Sequence, residues 1–170
     1  MASELVAGNG VRGYLFDAII ANDLNKCLAM PKENIPAELN STFFFGVHGQ
    51  TPLHLAVLVN STGIVDFLLN ERPELEVENS RGWTALMSAI ANGNVGIVAS
   101  LVKAGANLAF ESDFYGRSAL HLACLDINSE VCIRTTHFLI ETGVDVSQRD
   151  NVCSHTFYNP CTVLHMMCSA

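Results

Sequence analysis

The sequence predicts an all-α fold built from repeated pairs of helices, and two observations lead to that prediction. The first is a six-residue motif whose four copies begin at Thr51, Thr84, Ser118 and Thr162, at spacings of 33, 34 and 44 residues. The second is an amphipathic stretch after each of the first three copies, with apolar residues at helical spacing. Each unit then has an apolar face that only a neighbouring unit can bury, so we expect the units to stack.

The motif explains how each unit begins and ends. Its first copy reads Thr-Pro-Leu-His-Leu-Ala from Thr51. The threonine is expected to cap the first helix of the unit, and Pro52 suits a helix start because its missing donor has no partner there. Second helices are expected around residues 64–69, 97–102 and 137–140. Gly105 and Gly143 follow two of them as left-handed caps.

A turn precedes each of the first three motif copies. Gly49, Gly82 and Gly116 each stand two residues before the motif begins. Glycine adopts the positive φ of a tight turn at no steric cost, so we expect these residues to allow the chain to reverse before each first helix.

A period near 33 residues with this Thr-Pro-Leu-His-x-Ala core resembles the ankyrin repeat family. The resemblance covers about residues 12–170 and implies one ankyrin-repeat solenoid with projecting hairpin-like turns. In that interpretation, residues 12–48 form an N-terminal capping repeat and a long loop. Residues 49–81 and 82–115 are repeats, 116–159 are a repeat with insertions, and 160–170 are the first helix of an incomplete repeat.

Some segments depart from the period. The connection between Met30 and Gly49 is long and holds Phe43–Phe45, which we expect to pack beneath the loop rather than form an exposed contact patch. Four extra residues fall around 127–134 and seven more within 150–161. The half-built last unit would leave an apolar face open. We therefore expect a fragment of a larger protein, with further repeats or self-association at that end.

Composition narrows the functional classes. Seventeen acidic residues against nine basic ones give a net charge of −8, which argues against nucleic acid as a partner. The first fifteen residues lack the pattern of a secretory signal, and no apolar run approaches membrane-spanning length. We expect an intracellular protein, cytoplasmic or nuclear, with no membrane insertion and with its six cysteines reduced.

The sequence shows little sign of catalytic chemistry. His54, His121 and His165 share one repeat position, and the family resemblance supports a role in hydrogen-bonding the neighbouring turn. A zinc site is an alternative for the cysteines and histidines between Cys153 and Cys168, but no Cys-x2-Cys pair is present. No phosphate loop or nucleophile motif occurs. We predict no enzyme, no cofactor and no metal.

The resemblance places partner contacts on the turn tips and the concave side of the first helices. The matching positions in this chain are His48, Gln50, Arg81, Trp83, Asn92, Phe114, Tyr115, Arg117 and Asp126. Tryptophan, tyrosine and arginine dominate binding hot spots, which favours contact over flat packing of Trp83, Phe114 and Tyr115 across adjacent turns.

Three functions remain open. The first is a protein–protein interaction module, such as a scaffold, adaptor or targeting domain, with a partner of unknown identity. The second is a regulator of a transcription factor resembling the inhibitor of kappa-B group. The third is the substrate-targeting arm of a larger enzyme.

Overall fold

The computed structural model describes residues 13–45, 48–111, 116–123 and 130–144 of the 170-residue chain. Within them, four short first helices lie side by side: α1 (Tyr14–Ile20), α4 (Pro52–Leu58), α6 (Ala85–Ala91) and α8 (Ala119–Ala123). The second helices form a layer of their own: α2 (Leu24–Leu28), α5 (Thr62–Asn70), α7 (Val95–Lys103) and α9 (Glu130–Glu141). Each first helix also contacts its own second helix. The predicted all-α stack of helix pairs is confirmed.

Side-chain caps begin the helices where the motif predicts them. The Thr51 hydroxyl accepts a hydrogen bond from the His54 amide at 3.4 Å, and Thr84 does the same for Met87 at 3.3 Å. Pro52 is the first residue of α4. Each cap satisfies an amide that the helix start leaves without a partner.

Glycines with positive φ end α7 and α9, as expected for Gly105 (φ 97°) and Gly143 (φ 83°). Gly82 (φ 73°) and Gly116 (φ 59°) likewise reverse the chain before α6 and α8. Gly49 differs from the expectation because it lies inside a strand rather than at a reversal.

The long connection after α2 has structure of its own. It contains α3 (Ile35–Leu39) and two short antiparallel strands, β1 (Phe43–Phe45) and β2 (His48–Gln50). Phe43 pairs with Gln50 and Phe45 with His48, so the aromatic run adds a hairpin to the all-α plan. Aromatic residues favour extended backbone, which explains why this segment pairs as strands. The packing of the three phenylalanine side chains stays a prediction.

The first unit lacks the motif threonine and begins differently. Gly13 is the N-cap of α1 and has no side chain to accept a hydrogen bond. The Glu38 carboxylate, supplied by α3, accepts from the Leu15 amide at 3.1 Å instead. A Cβ atom on Gly13 would overlap that carboxylate. The inserted helix therefore caps α1 from 23 residues away.

One apolar core runs through all four helix pairs, from Leu15 in α1 to Leu139 in α9. Leu55 in α4, Leu68 in α5 and Leu101 in α7 are fully buried. This continuity is what the repeat pattern predicts, because each unit buries its apolar face only against the next.

The third unit is described only in part. Four extra residues are expected between its helices, around 127–134; Glu130 to Arg134 belong to α9, and residues 127–129 lie outside the described residues. α9 has 12 residues, against nine in α5 and α7. The expected insertion within 150–161 and the half-built last unit lie outside the described residues.

Candidate functional site

The turn before α6 is a tight loop organised by one side chain. The Asn79 carboxamide oxygen accepts from the Arg81 amide at 2.8 Å and from the Trp83 amide at 3.2 Å. The backbone N–H of Asn79 in turn donates to the Trp83 carbonyl at 2.9 Å. Asparagine is suited to this role because its short side chain reaches backbone amides two and four residues ahead. These bonds fix the direction in which Arg81 and Trp83 leave the turn.

A buried histidine ties this turn to the preceding unit. His54, which is 2% exposed, places Nε2 at 2.8 Å from the Trp83 carbonyl oxygen. A carbonyl can only accept, so Nε2 carries the proton and donates. Nδ1 then accepts from the Thr51 hydroxyl, which lies 2.8 Å away. The expected role of this histidine position, hydrogen-bonding the neighbouring turn, is confirmed for His54.

The protonation state of His54 follows from the same contacts. Burial lowers its pKa, and the bond to the Trp83 carbonyl opposes that effect without cancelling it. His121, at the same repeat position, bonds the Ser118 hydroxyl through Nδ1 at 2.8 Å. His165 lies outside the described residues. Met87 takes this position in the intervening unit and cannot supply the same bond.

Further bonds join the turn to strand β2. The Ser80 amide donates to the Gly49 carbonyl at 3.2 Å, and the Gly49 amide donates to the Ser80 hydroxyl at 3.1 Å. Asn79 also donates to the Gln50 side chain at 3.4 Å. The tip of one unit is therefore bonded to the tip of the unit before it.

A groove opens beside this turn, and we call it the Trp83 groove. It has a volume of about 120 Å³ and is lined by Gln50, His54, Leu58, Asn79, Arg81, Trp83, Ser88 and Asn92. The Arg81 guanidinium lies over the Trp83 ring, 5.8 Å from its centroid. Small-molecule sites usually exceed about 300 Å³, so the groove is sized for a side chain rather than for a cofactor.

The structure brings four predicted contact residues together in this groove: Gln50, Arg81, Trp83 and Asn92. The backbone of His48 pairs in β2 beside them. Arg117 lies just before α8, one repeat unit beyond Arg81. It is half-buried and does not line the groove. Phe114, Tyr115 and Asp126 lie outside the described residues, so their contact roles stay predictions.

The structure shows how Trp83 packs, and its contact with a partner stays a prediction. Its side chain is half-buried and packs against the apolar core, yet it also forms part of the groove wall. Sequence reasoning did not place four of the eight lining residues in a groove, namely His54, Leu58, Asn79 and Ser88. A signal existed for Leu58, because it stands seven residues after Thr51, where an exposed first-helix position is expected.

Other chemistry finds little support in the described part of the chain. Cys27 is a free thiol in the core, and burial together with the nearby Asp23 raises its pKa. A thiol of that kind is a poor nucleophile. Among the described residues, no three metal-ligating side chains converge. The zinc site considered as an alternative between Cys153 and Cys168 falls outside them. No described helix has the length and apolar character to cross a bilayer.

These features define a helical repeat protein in which units with a capped Thr-Pro-Leu-His motif stack into one core. A family model for ankyrin repeats in three copies matches residues 15–112 and again 53–150. The match extends over well more than half of the chain, and the chain belongs to the ankyrin repeat family. Repeats of this family are general protein–protein interaction modules and generally not enzymes.

Individual relatives share only this repeat region. The chain is 34% identical to human Inhibitor of Bruton tyrosine kinase over 98 residues, which are 57% of this chain and 7% of that protein. It is 37% identical over 57 residues to zebrafish Ankyrin repeat domain-containing protein 13C, covering 34% of this chain and 12% of the relative. Rice Probable E3 ubiquitin-protein ligase XBOS32 is 33% identical over 120 residues, 71% of this chain and 23% of that protein. The matched region thus spans less than a quarter of each relative.

Proposed function

We propose that this chain binds a partner protein through the Trp83 groove and the first-helix surface beside it. The observation that supports the proposal most is the convergence of Gln50, Arg81, Trp83 and Asn92 in one groove. The partner is another protein of unknown identity, met inside the cell. Nucleic acid and membrane insertion form no part of the proposal.

The rigidity of the groove favours binding. Asn79 and His54 hold the backbone of the turn through bonds of 2.8–3.2 Å, so the turn has few alternative conformations to lose when a partner docks. Ordering costs subtract directly from affinity, at about 0.5–1.5 kcal/mol for each immobilised side chain. A preorganised Arg81–Trp83 pair avoids part of that cost.

Exposed apolar side chains at the ends of the first helices also favour protein binding at the groove. Leu58 is 52% exposed at the end of α4, and Ile20 is 37% exposed at the matching end of α1. Ala91, at the same position of α6, is exposed as well. Apolar positions repeated on one side of successive helices give a partner surface to cover, while the tryptophan and arginine at the tip supply anchoring groups.

A second candidate is narrower: the chain is the substrate-targeting arm of a larger enzyme. One comparison favours it, since the rice ubiquitin-ligase relative matches 71% of this chain but only 23% of its own length is matched. In this case the same groove would hold the substrate. An inhibitor of kappa-B-like role gains no observation beyond the sequence resemblance.

Site-specific photocrosslinking in cells tests the proposal. A benzoylphenylalanine at Asn92 stands in the groove, and one at Asn70 is exposed on α5, in the second-helix layer. We expect a discrete partner protein to crosslink from position 92 and not from position 70. Adding Trp83→Ala should reduce that crosslink while the circular dichroism stays helical. Equal crosslinking from both positions, or none from position 92, would rule the groove out as the binding site.

A further inference from the structure

The exposed side of the first helices carries one aliphatic residue in each unit from α1 to α6, and we call these three residues the aliphatic row. Ile20 is 37% exposed, Leu58 is 52% exposed and Ala91 is exposed. Each is the last residue of its helix, and α4 contacts both α1 and α6, so the three follow one another across the stack. Because packed helices lie about 8–10 Å apart, neighbouring members of the row are separated by about that distance.

The aliphatic row continues into the Trp83 groove. Leu58 belongs to both, and together with Trp83 it forms the apolar part of the groove wall. Ser88 and Asn92 line the groove from α6 and its C-cap, so the groove lies between α4 and α6. A cavity of about 150 Å³ in a protein core admits a small apolar molecule, so a groove of about 120 Å³ suits one aliphatic side chain. The next contact along the row lies one helix away, between Leu58 and Ile20.

A carboxylate stands at the α1 end of the row. Asp17 is the single acidic residue on the four described first helices, which contain no lysine or arginine. It is exposed and lies three residues before Ile20, on the same side of α1. Its side chain forms no ion pair with any described residue. Since the whole chain has a net charge of −8, both the local and the overall charge are complementary to a basic group on a partner.

The spacing of the row selects the conformation of a partner segment. Side chains on one face of an α-helix recur after seven residues, about 10 Å along the axis, which matches the row. Those on one face of a β-strand recur after about 7 Å, which does not. A polyproline II segment has a suitable repeat of about 9 Å, but its backbone amides need water or a partner, and aliphatic side chains supply neither. A helix satisfies its own backbone and can cover such a row.

We propose that an amphipathic helix of a partner protein lies across the first helices. It carries two aliphatic residues seven positions apart and a lysine or arginine within one helical turn of one of them. One aliphatic side chain enters the Trp83 groove against Leu58, the other packs between Leu58 and Ile20, and the basic side chain pairs with Asp17. This inference rests on the proposed function and adds the chemistry of the partner to it.

The position of Arg81 is compatible with a basic helix end over α1. Arg81 already has contacts of its own, and it belongs to the unit two places along from Asp17. Two helix spacings correspond to roughly 16–20 Å. At physiological salt, charges further apart than about 8 Å are largely screened, so Asp17 decides which charge is favoured at its end of the row.

Selection from random twenty-residue peptides by mRNA display tests this inference, with the full chain as bait at 150 mM salt. The wild-type chain should enrich peptides with Leu, Ile or Met seven positions apart and with Lys or Arg within one turn of one of them. Asp17→Lys should exchange the basic preference for Asp or Glu. Asp66→Lys makes the same charge change at an exposed position of α5, in the second-helix layer, and should keep the wild-type preference.

Affinity measurements with one selected peptide give a second test. Leu58→Ala should weaken binding roughly three- to ten-fold, because about half of that side chain is still exposed and available for burial. Ile133→Ala should leave the affinity unchanged, since Ile133 is 42% exposed but lies on α9 in the second-helix layer. Asp17→Asn should weaken binding roughly two- to five-fold, as expected for an exposed ion pair. Trp83 fluorescence and the urea midpoint report whether each variant folds.

A proline scan of the same peptide tests its conformation. Proline midway between the two aliphatic residues should abolish binding, because it breaks a helix. A peptide that tolerates proline there binds in an extended form and overturns the inference. The same holds if no peptide of the expected pattern is enriched, or if the affinity ignores Leu58 and Asp17. Sedimentation velocity of the full chain tests a second copy as the occupant: a dimer that Leu58→Ala dissociates also overturns the inference.

The two proposals fail separately. If position 92 crosslinks a partner in cells and the crosslinked segment is not a helix of this pattern, the helix inference is wrong while the binding function stands. If position 92 crosslinks no protein at all, the proposed function itself fails, whatever peptides are selected.

Discussion

Replacing Asn79 with alanine should loosen the turn that carries Arg81 and Trp83. The substitution removes the oxygen that accepts from both of those amides, at 2.8 and 3.2 Å. Asn79 is 8% exposed, and the two bonds that it accepts are partly buried. Helices α4 and α6 keep their caps, because the bonds that Thr51 and Thr84 accept do not involve Asn79.

The expected cost follows from those two bonds. Each hydrogen bond contributes about 0.5–1.5 kcal/mol net, which gives about 1–3 kcal/mol for the pair. Since the loop is partly exposed and water can replace some of the loss, we expect the lower part of that range, about 1–2 kcal/mol. With a urea m-value of about 2 kcal/mol/M, the midpoint should fall by roughly 0.5–1 M.

The assay uses Trp83 as a local probe, since it is the only tryptophan in the chain. Urea unfolding is followed by its fluorescence and by circular dichroism, which reports all the helices. Asn79→Asp is the matched control, because a carboxylate keeps the acceptor for both amides and loses only the weak bond to Gln50. If Asn79→Ala unfolds at the wild-type midpoint, or Asn79→Asp falls as far, the turn is not held in this way.

Three more predictions follow from the described contacts. His54 has a lowered pKa in the folded state, so folding favours its neutral form. The contribution of neutral His54 to the free energy of unfolding is complete above the unfolded pKa of about 6.5 and declines as the pH falls below that value. The urea midpoint of the wild-type chain should therefore drop between pH 7.5 and 5.5. The midpoint of His54→Gln should drop less. Glu38→Ala should lower the free energy of unfolding by about 1 kcal/mol, because it removes the cap of α1. Gly13→Ala displaces the same carboxylate, so the double mutant should be little less stable to heat than Glu38→Ala alone. If the two effects add in full, Glu38 does not cap α1. Leu101→Ala should cost about 2–5 kcal/mol in urea unfolding because that side chain is fully buried, whereas a cost below 1 kcal/mol would contradict its place in the core.

The repeat and its caps could be predicted from local sequence. Thr51 and Thr84 cap α4 and α6 because the bond they accept comes from an amide three residues ahead, a distance that the sequence itself specifies. Gly105 and Gly143 adopt positive φ for an equally local reason. The second helices could also be predicted locally, because the apolar face of each helix recurs every three or four residues along the sequence.

Two features could not be predicted from the repeat. Gly49 lies in a strand rather than at a turn because Phe43–Phe45 pair with His48–Gln50, a hairpin that the repeat pattern does not include. Glu38 caps a helix that begins at Tyr14, and nothing in the spacing of the two residues indicates that bond.

For the candidate site, the sequence by itself determined which residue types stand at the turn tips and at the exposed ends of the first helices. Together with the resemblance to the ankyrin family, it named Gln50, Arg81, Trp83 and Asn92 without any contact information. The tertiary structure alone decided that these four face one groove, that the His54 ring holds the Trp83 carbonyl, and that Leu58 completes the wall. The physical reason is range: caps and turns form between residues a few positions apart, whereas the groove joins residues about thirty positions apart that only the stacking of units brings together.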